Sequence, residues 1–349
     1  MNKVIIAGVE TVESLESAYA RAFRHSGWQV DFWNPVRSFS GVARGRRFGR
    51  ILGAFVNIDP WWQKANLRLL QLARRLQPEL LLVIWPRGVR AGTLGQLRTL
   101  SPRTRLYCLF PDSPHNLDVE RIQCLPLFDR ITVSSPAWVD AMKKLGARRV
   151  DYLPFAADTI LFQSPVASET NQQFACDLSF IGSWREEREL MLERLADFDL
   201  RIWGNDYWRT RVRSGSPLTK KWGGRSLLGE EFAAACRQSK IALNLLDTIS
   251  WPGPNMRAFE LPACYAFVLA ERTDSLLELF TEGKTIECFG SIEEARDKVA
   301  YYISHDSVRA RIAVASHEFV VSKGHTYLDR VQQLVTWAKH DQVSVQVGN

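Results

Sequence analysis

The chain has 349 residues, 24% of them charged and 46% hydrophobic. That composition is globular and excludes a disordered or fibrous chain. Six cysteines lie far apart with no C-x-x-C pair, which argues against a zinc site, a disulfide scaffold or a thioredoxin-like centre. At about 100–200 residues per domain, the length points to two domains.

Charge is uneven along the chain. Residues 1–155 hold 23 Lys+Arg against 12 Asp+Glu, a net of +11, and residues 156–349 hold 22 against 26, a net of −4. The halves therefore face different partners, or the first lies against an anionic surface. The apolar stretch 4–7 is too short for a signal-peptide core, and runs 80–85 and 264–270 fall short of the roughly 20 residues of a membrane span. A cytoplasmic protein with reduced, buried thiols is the expectation.

In chain order, residues 3–8 read as a strand, 13–25 as a helix ended by Gly27, and 28–33 as a strand. Residues 67–76 read as an amphipathic helix. Residues 80–85 form a continuous apolar run, as a strand buried on both faces requires. Strands at 105–110 and 129–133, a helix at 137–145 and a strand at 150–153 complete the first half. The segment 154–174, rich in Ser, Thr, Asn and Gln, reads as a linker. Alternation resumes with strands at 176–181, 199–203, 241–245, 266–270 and 285–289. Helices are expected at 186–196, 230–238, 256–264, 275–282, 292–304 and 327–340. The 275–282 helix opens with a Ser275-x-x-Glu278 pattern that reads as a capping box. Alternation at this spacing means α/β with parallel sheets. The expectation is two Rossmann-like domains facing a cleft, with ligands at the carboxyl ends of the strands. The boundaries are 1–154 for the first domain, 155–175 for the linker and 176–325 for the second domain. A C-terminal helix over 326–349 is expected to return to the first domain.

The Walker, dinucleotide, nucleophile-elbow and zincin motifs are missing. Two segments carry chemistry. In Phe180-Ile181-Gly182-Ser183-Trp184-Arg185-Glu186-Glu187-Arg188, small residues follow a strand and precede a helix, which lets a phosphate approach backbone amides. A plain tight βα turn fits the same residues. In Asn255-Met256-Arg257-Ala258-Phe259-Glu260, Arg257 and Glu260 are three apart and share a helix face. They read either as a simple ion pair or as a fork for phosphate beside an acceptor for sugar hydroxyls.

The second half resembles the CgeB-type (spore maturation protein-like) glycosyltransferases, relatives of family 1/4 with the GT-B fold. The resemblance is carried by Asn255-x-Arg257-x-Phe259-Glu260-x-Pro262-Ala263-Cys264, Ala270-Glu271-x-x-x-x-Leu276 and Leu279-Phe280-x-x-Gly283-Lys284. Ile181-Gly182-Ser183 with Arg188, Ser239-Lys240-Ile241-Ala242-Leu243-Asn244 and His325-Thr326-Tyr327-x-x-Arg330 extend it. It implies an α/β, GT-B transferase with a nucleotide-diphosphate sugar as substrate, no other cofactor and no metal. The donor lies on the second domain and a glycan or lipid-linked acceptor on the first. The donor-binding residues it implies are Gly182, Ser183, Arg188, Asn255, Arg257, Glu260 and Lys284. Glu260 matches the second Glu of an E-x7-E motif, which holds the nucleotide ribose. Pro252 stands where that motif has its first Glu, and Tyr265 where Gly commonly follows Ala-Cys.

Breaking a glycosyl–phosphate bond puts positive character on the sugar and negative charge on the departing diphosphate. Preorganised charge at the leaving group is usually the largest catalytic contribution. Arg257 and the Gly182 and Ser183 amides are the candidates for it, with Lys284 and Arg188 behind them. Asp112, at a strand end beside His115, is the candidate general base, although an Asx turn in Pro-Asp-Ser-Pro is the more ordinary reading of the same residues. Asp197-Phe-Asp199 lies between a helix and a strand and reads as a surface turn. The 33–57 stretch has no acid and carries Arg37, Arg44, Arg46, Arg47 and Arg50 with Phe39, Phe48 and Phe55. This basic segment over 37–50 suggests peripheral contact with the inner membrane face or a lipid phosphate, rather than nucleic acid, and a solvated mobile loop fits it as well. Trp184, Trp203, Trp208, Trp222 and Trp251 fall in second-half loops, where aromatic faces pack on sugars or on the core. The competing readings are a non-catalytic GT-B binding protein, which Pro252 favours, and a GT-B epimerase.

Overall fold

The computed structural model describes residues 1–35, 59–86, 88–162, 172–248 and 251–346. The basic 37–50 segment lies outside them. The chain divides into two compact units, residues 1–153 with 331–349, and residues 154–330.

The first unit holds a six-stranded parallel sheet in the order β2-β1-β3-β4-β5-β6. Its strands are β1 (Lys3–Ala7), β2 (Gln29–Trp33), β3 (Leu80–Ile84), β4 (Arg105–Phe110), β5 (Arg130–Val133) and β6 (Val150–Tyr152). Every residue of β3 and β4 is buried, because helices cover both faces of a parallel sheet. Ser14 caps the helix Leu15–His25 by accepting the Ser17 N–H. The chain then leaves that helix through Gly27 at φ 78°, a left-handed turn that glycine makes without a Cβ clash. The helix Tyr327–Gln346 begins in the second unit, and its residues from Val331 onward belong to the first. There Trp337 lies under the Arg130 guanidinium at 4.3 Å.

The second unit holds a five-stranded parallel sheet in the order β11-β10-β9-β7-β8. Its strands are β7 (Cys176–Ile181), β8 (Leu200–Trp203), β9 (Ser239–Asn244), β10 (Val268–Glu271) and β11 (Glu287–Phe289). One face packs Phe232, Phe259, Leu261 and Phe280. The other packs Leu192, Trp208, Leu218 and Val299. Such aliphatic and aromatic side chains contribute roughly 1.5–3 kcal/mol each on full burial. All six cysteines are free and buried, and burial pushes the Cys124 and Cys176 thiols up to about 11. Among the described residues no helix is long and apolar enough to cross a membrane.

Several elements differ from expectation. The helix expected at 67–76 starts at Asp59. Helices Ala91–Leu100 and Asp306–Ser322 were not expected. The first carries Gly92 and Gly95, which weaken its signal. The second buries Ile312, Ala313, Ser316 and Val320 yet exposes Val314, so its stripe is blurred. The Ser275–Glu278 capping box does not form. Thr273 caps that helix instead, its hydroxyl accepting the Leu276 N–H at 3.1 Å.

Candidate functional site

In the second sheet the chain runs from β7 out to the edge at β8, then crosses back to β9 on the other side of β7. Such a reversal opens a crevice at the carboxyl ends of the two flanking strands, here Ile181 of β7 and Asn244 of β9.

Gly182 and Ser183 follow β7 at this point. The Gly182 N–H donates to the Trp203 carbonyl at 2.9 Å. The Gly182 carbonyl accepts the Trp208 indole N–H at 2.9 Å. Both backbone groups of Gly182 are thus engaged within the sheet end, which removes its amide from the expected anion contacts. Ser183 is exposed. A Cβ on Gly204 would come within 2.1 Å of the Gly182 carbonyl oxygen, so Gly204 permits the close approach of the two turns.

Arg257 opens the helix Arg257–Ala263. Its Nε donates to the Ile181 carbonyl at 3.0 Å, and its guanidinium lies over the Phe232 ring at 4.6 Å. It also forms an ion pair with Glu260, one turn on. The Arg257 side chain is 31% exposed and that of Glu260 only 7%. Asn255 precedes the helix; its Oδ1 accepts the Ala258 N–H at 3.2 Å and its Nδ2 donates to Asn244 Oδ1 at 2.8 Å. The structure therefore gathers Ser183, Arg257, Glu260 and Asn255 around the ends of β7 and β9.

Arg188 acts as a strut across the same point. Its Nε and Nη2 donate to the Leu245 carbonyl at 3.2 and 3.0 Å, and its Nη1 donates to the Ser183 carbonyl at 3.1 Å. Burial lowers its pKa against the opposing pull of Asp247, whose carboxylate stands 3.4 Å away. Lys284 lies elsewhere. It is exposed in the turn leading into β11, on the amino side of the sheet, and the structure does not bring it to the cluster. Asp112 belongs to the first unit, after β4. Its Oδ1 accepts the Ser113 N–H at 2.8 Å and the Asn116 amide at 3.0 Å, which is the turn geometry weighed above.

Four residues given no role from sequence join the crevice. Glu271, at the end of β10, accepts the Leu246 N–H at 2.5 Å, and burial raises its carboxyl against that bond and the charge of Arg188. Glu187 accepts the Thr248 N–H at 3.3 Å. These two and Arg188 hold the backbone of the loop that carries Asp247. Arg185 Nε stands 3.7 Å from Asp247, adding a second cation beside Ser183. Nothing in the local sequence marks these contacts, because each joins residues more than twenty positions apart. Of the tryptophans, Trp203 and Trp208 are buried and Trp251 is 53% exposed. Trp184 donates to Glu189 at 2.7 Å. Asp197 pairs with Arg296 through both oxygens, at 2.7 and 2.6 Å. Among the described residues no group of three or more His, Cys, Asp or Glu is placed to hold a metal ion.

A family model described as glycosyl transferase-like matches residues 185–336. No curated protein sequence matches the chain at a significant level. Among solved structures, Anabaena HepE in complex with UDP and glucose is 13% identical with a TM-score of 0.64, over 97% of this chain and 100% of that one. Sucrose-phosphate synthase of Thermosynechococcus elongatus is 11% identical with a TM-score of 0.68, over 97% and 99%. A glycosyltransferase of Rickettsia africae is 12% identical with a TM-score of 0.68, over 97% and 98%. The chain has the GT-B fold, and its residues 185–336 resemble a glycosyl transferase-like domain.

Proposed function

We propose that the protein is a glycosyltransferase that takes a sugar from a nucleotide-diphosphate donor held by the second unit. The acceptor is a cell-surface glycan, a lipid-linked sugar or another glycoconjugate. The observation that carries this reading is the Arg257 guanidinium, fixed on the Ile181 carbonyl at the crevice and still 31% exposed. The departing diphosphate gains negative charge as the C1–oxygen bond breaks. Arg257, Arg185 and the Ser183 N–H stabilise that charge from positions set before reaction, which is why they accelerate it. Glu260, buried beside Arg257, accepts the ribose hydroxyls. Similarity of residues 185–336 to a glycosyl transferase-like model and the likeness to HepE, solved with UDP and glucose, support the reading.

The reaction is metal-independent in this proposal, since the cationic side chains take the part a divalent ion would play. It takes place in the cytoplasm, with the basic 37–50 segment meeting anionic headgroups at the inner membrane face and no nucleic-acid partner. The test is a panel of UDP-, GDP- and dTDP-sugars with and without EDTA. Nucleoside diphosphate release from one donor, unaffected by EDTA and lost in Arg257→Ala, is the expected result. Binding without turnover across the panel would favour a sugar-nucleotide-binding protein, the reading to which Pro252 lends weight by placing no carboxylate at its position.

A further inference from the structure

The second half of the chain is net acidic, yet residues 207–225 hold six cations and no acid. The end of that stretch forms a strap along the outer edge of β8. The Ile202 N–H donates to the Lys221 carbonyl at 2.9 Å, the Gly223 N–H to the Ile202 carbonyl at 2.8 Å and the Gly204 N–H to the Arg225 carbonyl at 3.1 Å. A cavity of about 530 Å³ opens between the strap, β8 and residues 173–174, a volume in the range of small-molecule sites. β7 lies between β8 and β9, and none of Ser183, Asn255, Arg257 and Glu260 lines the cavity. It is therefore separate from the crevice described above.

Arg201, Lys220 and Lys221 line this cavity, and none of them has a carboxylate within ion-pair distance among the described residues. Two are nonetheless fixed in place. Arg201 Nη1 donates to the Gln173 carbonyl at 2.8 Å, and Lys221 Nζ to the Phe198 carbonyl at 3.1 Å. Each keeps further N–H donors. Trp203 lines the cavity as well and is 4% exposed. Its indole N–H has no acceptor among the described residues, although a buried indole N–H ordinarily finds one. A Cβ on Gly223 would stand 2.5 Å from that Nε1, so the bare glycine of the strap leaves the N–H uncovered. Asp199 is the one carboxylate among the lining residues, exposed and without an ion-pair partner among the described residues.

We propose that this cavity is a second ligand site, built for a small phosphorylated sugar. A guanidinium and two ammonium groups, all unneutralised, supply the donors and the charge that hold a phosphate. An unpaired carboxylate beside them repels bare phosphate but accepts the hydroxyls of a sugar, and the buried indole N–H donates to a sugar or phosphate oxygen. Cations and carboxylate together select a molecule that carries both phosphate and hydroxyl groups. The site stands apart from the glycosyltransferase reading, because it uses no residue of the crevice.

The test is calorimetry on the full chain with mannose 6-phosphate, mannose and inorganic phosphate as probes. Mannose 6-phosphate should bind at one site about 10-fold or more tighter than inorganic phosphate, and mannose should give no signal. Arg201→Gln/Lys220→Ala should weaken mannose 6-phosphate by about 10-fold or more. Neither residue belongs to an ion pair, so its melting temperature should hold. If that variant melts early, Lys220→Glu at an exposed position gives the same reading by repelling the phosphate. Asp199→Ala should lower the affinity for mannose 6-phosphate and raise it for inorganic phosphate. Unchanged affinity in the cation variants overturns the assignment, since the probe then binds elsewhere. So does a wild type that binds no mannose 6-phosphate, or one that takes inorganic phosphate or a single-stranded oligonucleotide in its place with equal affinity. A failed donor panel with these results intact would sink the glycosyltransferase reading alone.

Discussion

Arg257 and Glu260 form an ion pair within one helical turn, with the carboxylate almost fully buried and the guanidinium on the rim. Arg257→Ala therefore has two consequences. It should lower turnover by about 10²–10³-fold, the usual loss of one preorganised charge contact. It should also destabilise the fold by about 1–3 kcal/mol, because Glu260 is left buried without its partner. The double variant Arg257→Ala/Glu260→Gln, read against Glu260→Gln alone so that the lost ribose contact is common to both, separates the two. Its melting temperature should recover towards wild type while its turnover stays well below that of Glu260→Gln. Turnover equal to that of Glu260→Gln would show that Arg257 acts only through the fold.

Glu16 gives a prediction with a defined sign. Burial holds its carboxyl above the ordinary value in the folded protein. A raised carboxyl favours the neutral form, so the shift stabilises the fold below the unfolded pKa, and that contribution is lost as pH rises through the folded pKa. As the pH rises the wild type must ionise this half-buried carboxylate, which a glutamine there never does. Glu16→Gln should therefore melt at a higher temperature than wild type at pH 7.5, with the gap closing towards pH 4. Melting curves at both values read the effect directly. Equal melting temperatures at pH 7.5 would show that burial does not raise this carboxyl.

Much of the architecture was legible because parallel sheets leave a strong local mark. Residues 80–84 read Leu-Leu-Leu-Val-Ile, and all five are buried. The pairing of Arg257 with Glu260 was legible from their spacing of three. Arg188 was assigned to the donor, yet its guanidinium is turned onto the Leu245 carbonyl, 57 positions away. Lys284 sat in a plausible motif, but the side of the sheet on which a loop emerges depends on how the strands are wound, not on the loop's own residues.

Tyr265 occupies the turn after the Arg257–Ala263 helix at φ 61°, a left-handed position that glycine fills without strain. Its ring stacks on His317, with centroids 3.6 Å apart and planes at 14°. The stack contributes about 0.5–1.5 kcal/mol against a backbone strain of about 1–3 kcal/mol. Tyr265→Gly, which loses both, should be at least as stable as wild type. Tyr265→Ala loses the stack and keeps the strain, so it should be the least stable of the three. Thermal melts that rank Ala level with Gly would show that the backbone there carries no strain.

Asp341 joins the C-terminal helix to the first sheet. Its carboxylate accepts the Tyr107 hydroxyl at 2.5 Å and pairs with Arg149 at 2.7 Å and with Arg130 at 3.2 Å. The Arg130 side chain is fully buried, so removing one of its carboxylates leaves a charge in low dielectric. Breaking a buried pair costs about 3–5 kcal/mol, and Asp151, which also pairs with Arg130, offsets part of that. Asp341→Asn should thus destabilise the protein by about 2 kcal/mol at pH 7 in urea titrations. Burial pushes the Asp341 carboxyl up, but the Tyr107 bond and the Arg130 charge together hold it below the ordinary value. A depressed carboxyl stabilises above the unfolded pKa and loses that contribution as pH falls through the folded one. The difference between wild type and Asp341→Asn should therefore shrink as the pH drops below the ordinary carboxylate range. A difference that persists undiminished in acid would assign the loss to packing instead of charge.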